Sequence, residues 1–445
     1  MMMEQKESIV ELPLLELYFT KLRYRRPWRW TGRVVEANGQ TVESEGPPCS
    51  VGECCEVIDA EGLRHEAEVI GFRGRNLIAM PLTETRGIRY GDGLESMGTS
   101  PSIPVSEMML GRVLNAVGEP LDGMLAPKAA ELWRLDGDVP HPMERLPIRE
   151  ALGTGVRSID GMLTVGRGQR VGIFGGSGVG KSTLVGMMTR NTQADLTVVA
   201  LVGERGREVR EFVEESLGTE GLRRSVVVVS TSDQSPLLRM RAAQAATSIA
   251  EFYASRGRHV LLVLDSLTRY AMAAREVGLA AGEPPTNKGY TPSVFARLAK
   301  LVERAGSFEH GSITAFYTVL MEGDDQQDPV ADAVRSYVDG HVVLSRQLAS
   351  AGRYPPIDVV DSLSRLMPAV TTRAHMDKAI TARGLLAAYT RSEDLMRIGA
   401  YKAGTDHELD RAIRAMPVLR SYLEQRSAER TTLDDSMERL CAMEL

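Results

Sequence analysis

Gly175-Gly176-Ser177-Gly178-Val179-Gly180-Lys181-Ser182 is the stretch on which the reading of this chain turns. It has the form G-x-x-x-x-G-K-[ST] and stands between a short apolar run at 170–174 and a stretch with helical spacing at 183–189. A strand that feeds a glycine-rich turn and then opens a helix lets successive backbone N–H groups curl around phosphate oxygens. The helix N-terminus adds its partial positive charge. In such a loop Lys181 reaches the β and γ phosphates of ATP, Ser182 offers its hydroxyl to Mg²⁺, and Thr183 continues the cradle into the helix.

Further β-branched runs follow at 196–202, 225–230, 260–264 and 312–319, each short, bounded by polar residues or glycine, and alternating with helical patterns. Buried strands alternating with helices imply an α/β unit, a parallel sheet covered on both faces. One run, His259-Val-Leu-Leu-Val-Leu-Asp265, ends in an acid at the sheet edge where ligands bind, next to the phosphate loop, which suits Asp265 to the water shell of Mg²⁺. Another leads into Gly203-Glu204-Arg205-Gly206-Arg207-Glu208. There Glu204 could take a proton from water beside the γ phosphate, or it could join Arg205, Arg207 and Glu208 in a solvated ion-pair loop. Spacing alone leaves both open.

On the N-terminal side, short stretches such as 55–58 and 67–70 lie between the turn signals Asn38-Gly39, Glu61-Gly62, Arg73-Gly74 and Asp92-Gly93, the pattern of a small antiparallel β-barrel over 31–97. Ahead of it, Lys21, Arg23, Arg25, Arg26 and Arg29 mingle with Tyr24, Trp28 and Trp30, a cluster suited to an anionic membrane surface or a partner. Pro140 to Pro147 reads as a connection into the next unit. After about residue 370 the strand signal ends, and Leu409, Ile413 and Met416 recur at helical spacing behind a Thr405-x-x-Glu408 capping box.

The 445 residues allow about three domains. A hydrophobic share of 43% and a charged share of 25% are those of a globular chain. The net charge of -6 opposes general nucleic-acid binding, and residues 31–97 carry twelve acids against six arginines, which repels a phosphate backbone there. Cys49, Cys54, Cys55 and Cys441 are too few and too scattered for a disulfide framework and read as packing residues in a reducing compartment. Apolar runs fall far short of the ~20 residues of a membrane span, and charges at Glu4, Lys6, Glu7, Glu11 and Glu16 interrupt any signal peptide, so the expected location is the cytoplasm.

The chain resembles the ATPases of type III protein export, flagellar and injectisome, which are related to the catalytic β subunit of rotary ATP synthases. The resemblance rests on Gly111-Arg-Val-Leu-Asn-Ala-Val-Gly-Glu-Pro-Leu-Asp122, Thr154-Gly-Val-Arg-Ser-Ile-Asp160, the phosphate loop and Gly203-Glu204-Arg205. It continues through Leu264-Asp-Ser-Leu-Thr-Arg269, Gly289-Tyr-Thr-Pro-Ser-Val-Phe295, Tyr354-Pro-Pro-Ile-Asp358 and Asp361-Ser-Leu-Ser-Arg365, and so spans most of the chain. Glu283-Pro-Pro-Thr-Asn-Lys288 and the stretch 321–328 resemble the export branch, with flagellar export favoured over the injectisome.

The resemblance implies an N-terminal docking segment at 1–30, a β-barrel at 31–97, a RecA-like ATPase domain at 98–368 and a C-terminal helical domain at 369–445. It gives Lys181 and Ser182 their phosphate and Mg²⁺ roles, makes Glu204 the catalytic carboxylate with Arg205 and Asp265 in support, and makes Tyr354 the aromatic that stacks on adenine. Arg365 matches the arginine finger, supplied by a neighbouring subunit in a homohexamer. Tyr290, Val294 and Phe295 would face a central pore or belong to ordinary core. Implied partners are a stator-like regulator at the N-terminal segment, a coiled-coil stalk in the pore, and export chaperones with their cargo, at the cytoplasmic face of the inner membrane. Competing readings are a RecA-like ring translocase on nucleic acid and a non-catalytic synthase-type subunit; Glu204 argues against the latter, which lacks a carboxylate there.

Overall fold

The computed structural model describes residues 30–321 and 328–445. The basic cluster at 21–29 and most of the stretch 321–328 lie outside the described residues. The chain divides into two compact units, Met1–Thr99 and Ser100–Leu445.

In the first unit, β1 (Thr31–Ala37), β2 (Val42–Glu45), β3 (Cys54–Ile58), β4 (Arg64–Arg73), β5 (Asn76–Pro81) and β6 (Gly93–Ser96) close into a barrel in the order β1-β2-β5-β4-β3-β6. Alternation along the strands sends Val34, Val42, Cys55, Val57, Val69 and Leu77 inward with their neighbours. Asx turns set the hairpins: the Asn38 carboxamide oxygen accepts from the Gln40 and Thr41 amides, and Asp59 accepts from those of Glu61 and Leu63. Of the four cysteines read as packing residues, Cys55 is core and Cys49 packs against it, whereas Cys54 is only half-buried. Cys441 is a correction: it ends a helix on the exposed side.

The second unit is built on a sheet whose strands are β7 (Val113–Asn115), β8 (Arg170–Gly175), β9 (Leu196–Glu204), β10 (Ser225–Thr231), β11 (His259–Asp265), β12 (Ser312–Leu320), β13 (Gly340–Leu344) and β14 (Ile357–Ser364). Their order is β14-β13-β8-β12-β11-β9-β10-β7. Along this order all neighbours are parallel except the pair β13 and β14, and off it the two-residue strand Gly306–Ser307 pairs antiparallel with β12. One face, with Ile173, Val199, Leu201, Val227 and Val263, shares a core with the helix Lys181–Asn191 and the C-terminal helices Arg373–Arg397, His407–Leu423 and Leu433–Cys441. The helices Pro236–Ser255 and Leu267–Ala280 also pack on the sheet. Burial on both faces explains why the central strands are nearly unbroken runs of Val, Leu and Ala.

Pro140–Pro147 does not join the two units. It lies inside the second, where the Arg145 guanidinium donates to the Ala305 carbonyl at 2.9 Å. The helix His407–Leu423 is capped by Asp406, which accepts from the Glu408 and Leu409 amides, and not by Thr405, whose hydroxyl donates to the Lys402 carbonyl. Two good capping residues stand side by side, and the carboxylate takes the orphan amides.

Candidate nucleotide site

The loop between β8 and the helix Lys181–Asn191 is shaped by glycine. Gly178 and Gly180 sit at φ 77° and 95°, where a side chain would be strained. Gly180 is the helix N-cap and supplies no side-chain acceptor, so the first-turn amides are left open toward the loop. Gly175, Gly176 and Val179 are buried, while Ser177, Gly178, Ser182 and Thr183 face outward. Lys181 is only 8% exposed, and its Nζ has no hydrogen-bond partner among the described residues. Burial pulls the Lys181 ammonium below the usual lysine range, while Asp265 and Glu204 pull it the other way and Arg269 adds to the depression. A buried cation without a partner, surrounded by open amides, is a site built for an anion that supplies the missing bonds.

Parallel register brings the other groups to the same edge. Asp265 ends β11 and Glu204 ends β9. Asp265 is not on the strand next to the phosphate loop, as the sequence suggests, because β12 intervenes; from it the Thr318 hydroxyl donates to Asp265 Oδ1 at 2.6 Å. The second Asp265 oxygen and the outward Ser182 hydroxyl are both hard oxygen donors, the kind of ligand Mg²⁺ takes.

Gly203, at φ 68°, lets the chain swing at a bulge between Val202 and Glu204 and aims Glu204 inward. Burial first, then a hydrogen bond with Glu208 and the charge of Asp265, push the Glu204 carboxyl up to about 7, while Glu208 is lowered. The ion-pair reading of this loop holds for its other residues: Arg205 pairs with Glu208 at 3.3 Å and Arg207 with Glu211 at 3.3 Å, both arginines exposed. Arg205 is thus not gathered into the cluster of Lys181, Asp265 and Glu204.

Arg365 lies elsewhere. Gly340 pairs with Val171 on one side and Ser364 on the other, so β14 runs backward along the sheet and ends at the edge opposite the phosphate loop. The Arg365 amide donates to the Asp339 carbonyl there. Four strand residues, about 13 Å, separate the Val171 level from Gly175.

Tyr354, just before β14, stands over Gly180: a Cβ on that glycine would meet the ring at 3.6 Å. With Thr183, Leu184, Met187 and Pro356 it lines a cavity of about 480 Å³ whose far wall is 425–428. Tyr290 and Val294 are buried, and Tyr290 lies 6.1 Å from the Phe295 ring, so this chain uses them as core.

Sequence reasoning missed three parts of the site. Arg269 lies against Gly203, one helical turn after Asp265, and could have been found from that spacing. Arg346 has its Nη2 2.7 Å from where a Gly176 Cβ would be. The wall at 425–428 stands some seventy residues beyond Tyr354 and carries no motif.

Residues 155–364 match the nucleotide-binding domain of the ATP synthase alpha/beta family, and residues 371–442 match the C-terminal domain of the type III secretion ATPase EscN. The flagellum-specific ATP synthase of Bacillus subtilis (strain 168) is 52% identical over 415 residues, covering 93% of this chain and 94% of that protein. The type 3 secretion system ATPase of Xanthomonas euvesicatoria is 46% identical over 438 residues, covering 98% and 99%. The assembled ATPase EscN of enteropathogenic E. coli, in complex with its central stalk EscO, superposes with a TM-score of 0.85 at 41% identity, over 92% of this chain and 98% of that one.

Proposed function

The chain belongs to the family of flagellum-specific ATP synthases and type III secretion ATPases, and from that premise we propose that it is the ATP-hydrolysing subunit of a homohexameric motor that energises flagellar protein export. The observation that carries the chemistry is the buried Lys181 ammonium, without a hydrogen-bond partner among the described residues, at the head of a helix with no side-chain cap, near Asp265 and Glu204. Lys181 and the loop amides hold the phosphates; Ser182 and Asp265 would hold Mg²⁺, which supplies charge neutralisation on the β and γ oxygens when bound. Glu204 orients water and takes its proton, and Tyr354 stacks on the base.

Arg365 supports the ring reading because it lies at the sheet edge opposite its own loop. A finger placed there would serve a second subunit. Ring assembly also agrees with the assembled state of the EscN relative, and a stalk partner with that protein's complex. Flagellar export is favoured over the injectisome by the higher identity to the flagellar relative. A regulator docking at 1–30, contact of that segment with anionic lipid at the cytoplasmic membrane face, and chaperone-cargo clients belong to the same proposal.

Two experiments test it. The purified full chain should hydrolyse ATP only with a divalent cation, and Lys181→Ala should remove nucleotide binding; a chain inert toward ATP would sink the reading. A pull-down from the source cell should recover flagellar components, and recovery of injectisome components alone would transfer the chain to the other branch.

A further inference from the structure

Arg157 is only 4% exposed, on the short helix Arg157–Met162, and the role of a buried guanidinium is set by what it binds. Each nitrogen of its side chain donates to the end of the helix His407–Leu423 or to the irregular segment that follows it. Nε donates to the Tyr422 carbonyl at 2.7 Å, Nη2 to the Glu424 carbonyl at 2.7 Å, and Nη1 to the Glu429 carboxylate at 2.8 Å. The Arg157 backbone amide donates to Gln425 Oε1 at 2.8 Å, and Gln425 Nε2 donates back to the Gly155 carbonyl at 2.9 Å. The Gln425 amide in turn donates to the Tyr354 carbonyl at 2.9 Å.

The residues held between these anchors, 425–428, are the far wall of the cavity beside Tyr354. No helix or strand shapes that wall: the helix His407–Leu423 has ended and Leu433–Cys441 has not begun. Its position therefore depends on bonds made at it and at its flanks: the Arg157 side chain holds the flanks at Glu424 and Glu429, Gln425 ties to the Arg157 amide and the Gly155 carbonyl, and Arg190 Nη2 donates to the Ser427 carbonyl at 2.8 Å. We infer that Arg157, with Gln425, is a positioning residue for the base end of the nucleotide, fixing the distance between the 425–428 wall and the Tyr354 ring. The inference rests on reading this cavity as the base subsite of the ATPase. It separates base recognition from phosphate recognition: the phosphate loop contributes nothing to the wall, and Arg157 touches no part of the loop's anion cradle.

The test compares ATP with inorganic tripolyphosphate, which has the three phosphates and no base. In the full-length chain, Arg157→Met should raise KM for ATP about tenfold, equivalent to about 1.4 kcal/mol, with kcat changed by less than about twofold. The inhibition constant of tripolyphosphate against ATP hydrolysis should stay where it is in the wild type. Arg157→Lys, which offers a point charge in place of the fork, should fall between the two. If Arg157→Met does not fold, Arg157→Lys and Gln425→Met carry the same comparison.

A parallel loss of ATP and tripolyphosphate affinity would overturn the inference, leaving Arg157 as a general fold contact. An unchanged KM would overturn it too, since the wall would then stand without its anchor. A wild-type chain that neither hydrolyses ATP nor binds tripolyphosphate would bring down the nucleotide reading itself, a result distinguishable from either.

Discussion

Two glutamates four positions apart end in opposite states. Glu204 is drawn under the sheet edge and its carboxyl rises to about 7, while Glu208 stays near solvent, is lowered and takes the ion pair with Arg205. A general base must be ionised to accept a proton, so a raised carboxyl holds the base back below its midpoint and releases it above. Turnover at saturating ATP should therefore climb as pH rises through about 7, read as kcat against pH. Glu204→Gln should bind nucleotide normally and lose turnover by about a hundredfold or more, with no pH-dependent rise in what remains. Equal kcat in the two proteins would remove Glu204 from the mechanism. The phosphate loop was legible because each of its residues is there for a local reason, glycine for the turn and lysine for the charge. The inward aim of Glu204 was not, because it depends on a bulge at Gly203 and on Arg269 from another element.

Between elements, the tightest approach is at Gly161. A Cβ there would lie 1.8 Å from the Tyr422 hydroxyl, which donates to the Ser436 carbonyl at 2.8 Å and joins the helix Arg157–Met162 to the C-terminal helices. Gly161→Ala should cost about 1–3 kcal/mol by overpacking, seen as a lower Tm on thermal denaturation; an unchanged Tm would mean that the helices give way freely. At the start of His407–Leu423, Asp406→Ala should cost about 1 kcal/mol and Thr405→Ala only a few tenths, measured by urea titration. The reverse order would restore the cap read from sequence. The central strands were visible because two-sided burial demands unbroken β-branched runs. The edge strands were not: β7 has three residues, and β14 buries the polar Ser362 and Ser364 while it exposes Asp361 and Leu363, so its apolar positions do not follow its covered face. Nothing local to 425–428 marks it as a wall, since the bonds that hold it and its flanks come from Arg157 and Arg190, far away in sequence.

For the molecule as a working assembly, the decisive question is whether one site draws on two chains. Lys181→Ala and Arg365→Ala should each assemble yet show almost no ATPase activity. After subunit exchange between them, about a quarter of the interfaces are complete if Arg365 acts on the neighbour. Activity should then reappear, up to about a quarter of wild type. Activity fixed at the level of the single mutants would mean that Arg365 serves its own chain. The same strand that separates Arg365 from its own loop has Tyr354 just before its first residue, and its eight residues span about 25 Å. In the proposed ring the rate should depend sigmoidally on ATP, and Val360→Gly, which softens this strand midway, should keep ATP affinity and flatten that curve; a sigmoid preserved in the variant would show that the strand transmits nothing. In the proposed ring, β14 is a push-rod with one tip at its own subunit's base pocket and the other at the next subunit's phosphates. Firing order around such a ring would be kept by the stiffness of a single extended segment, with no separate messenger between the sites.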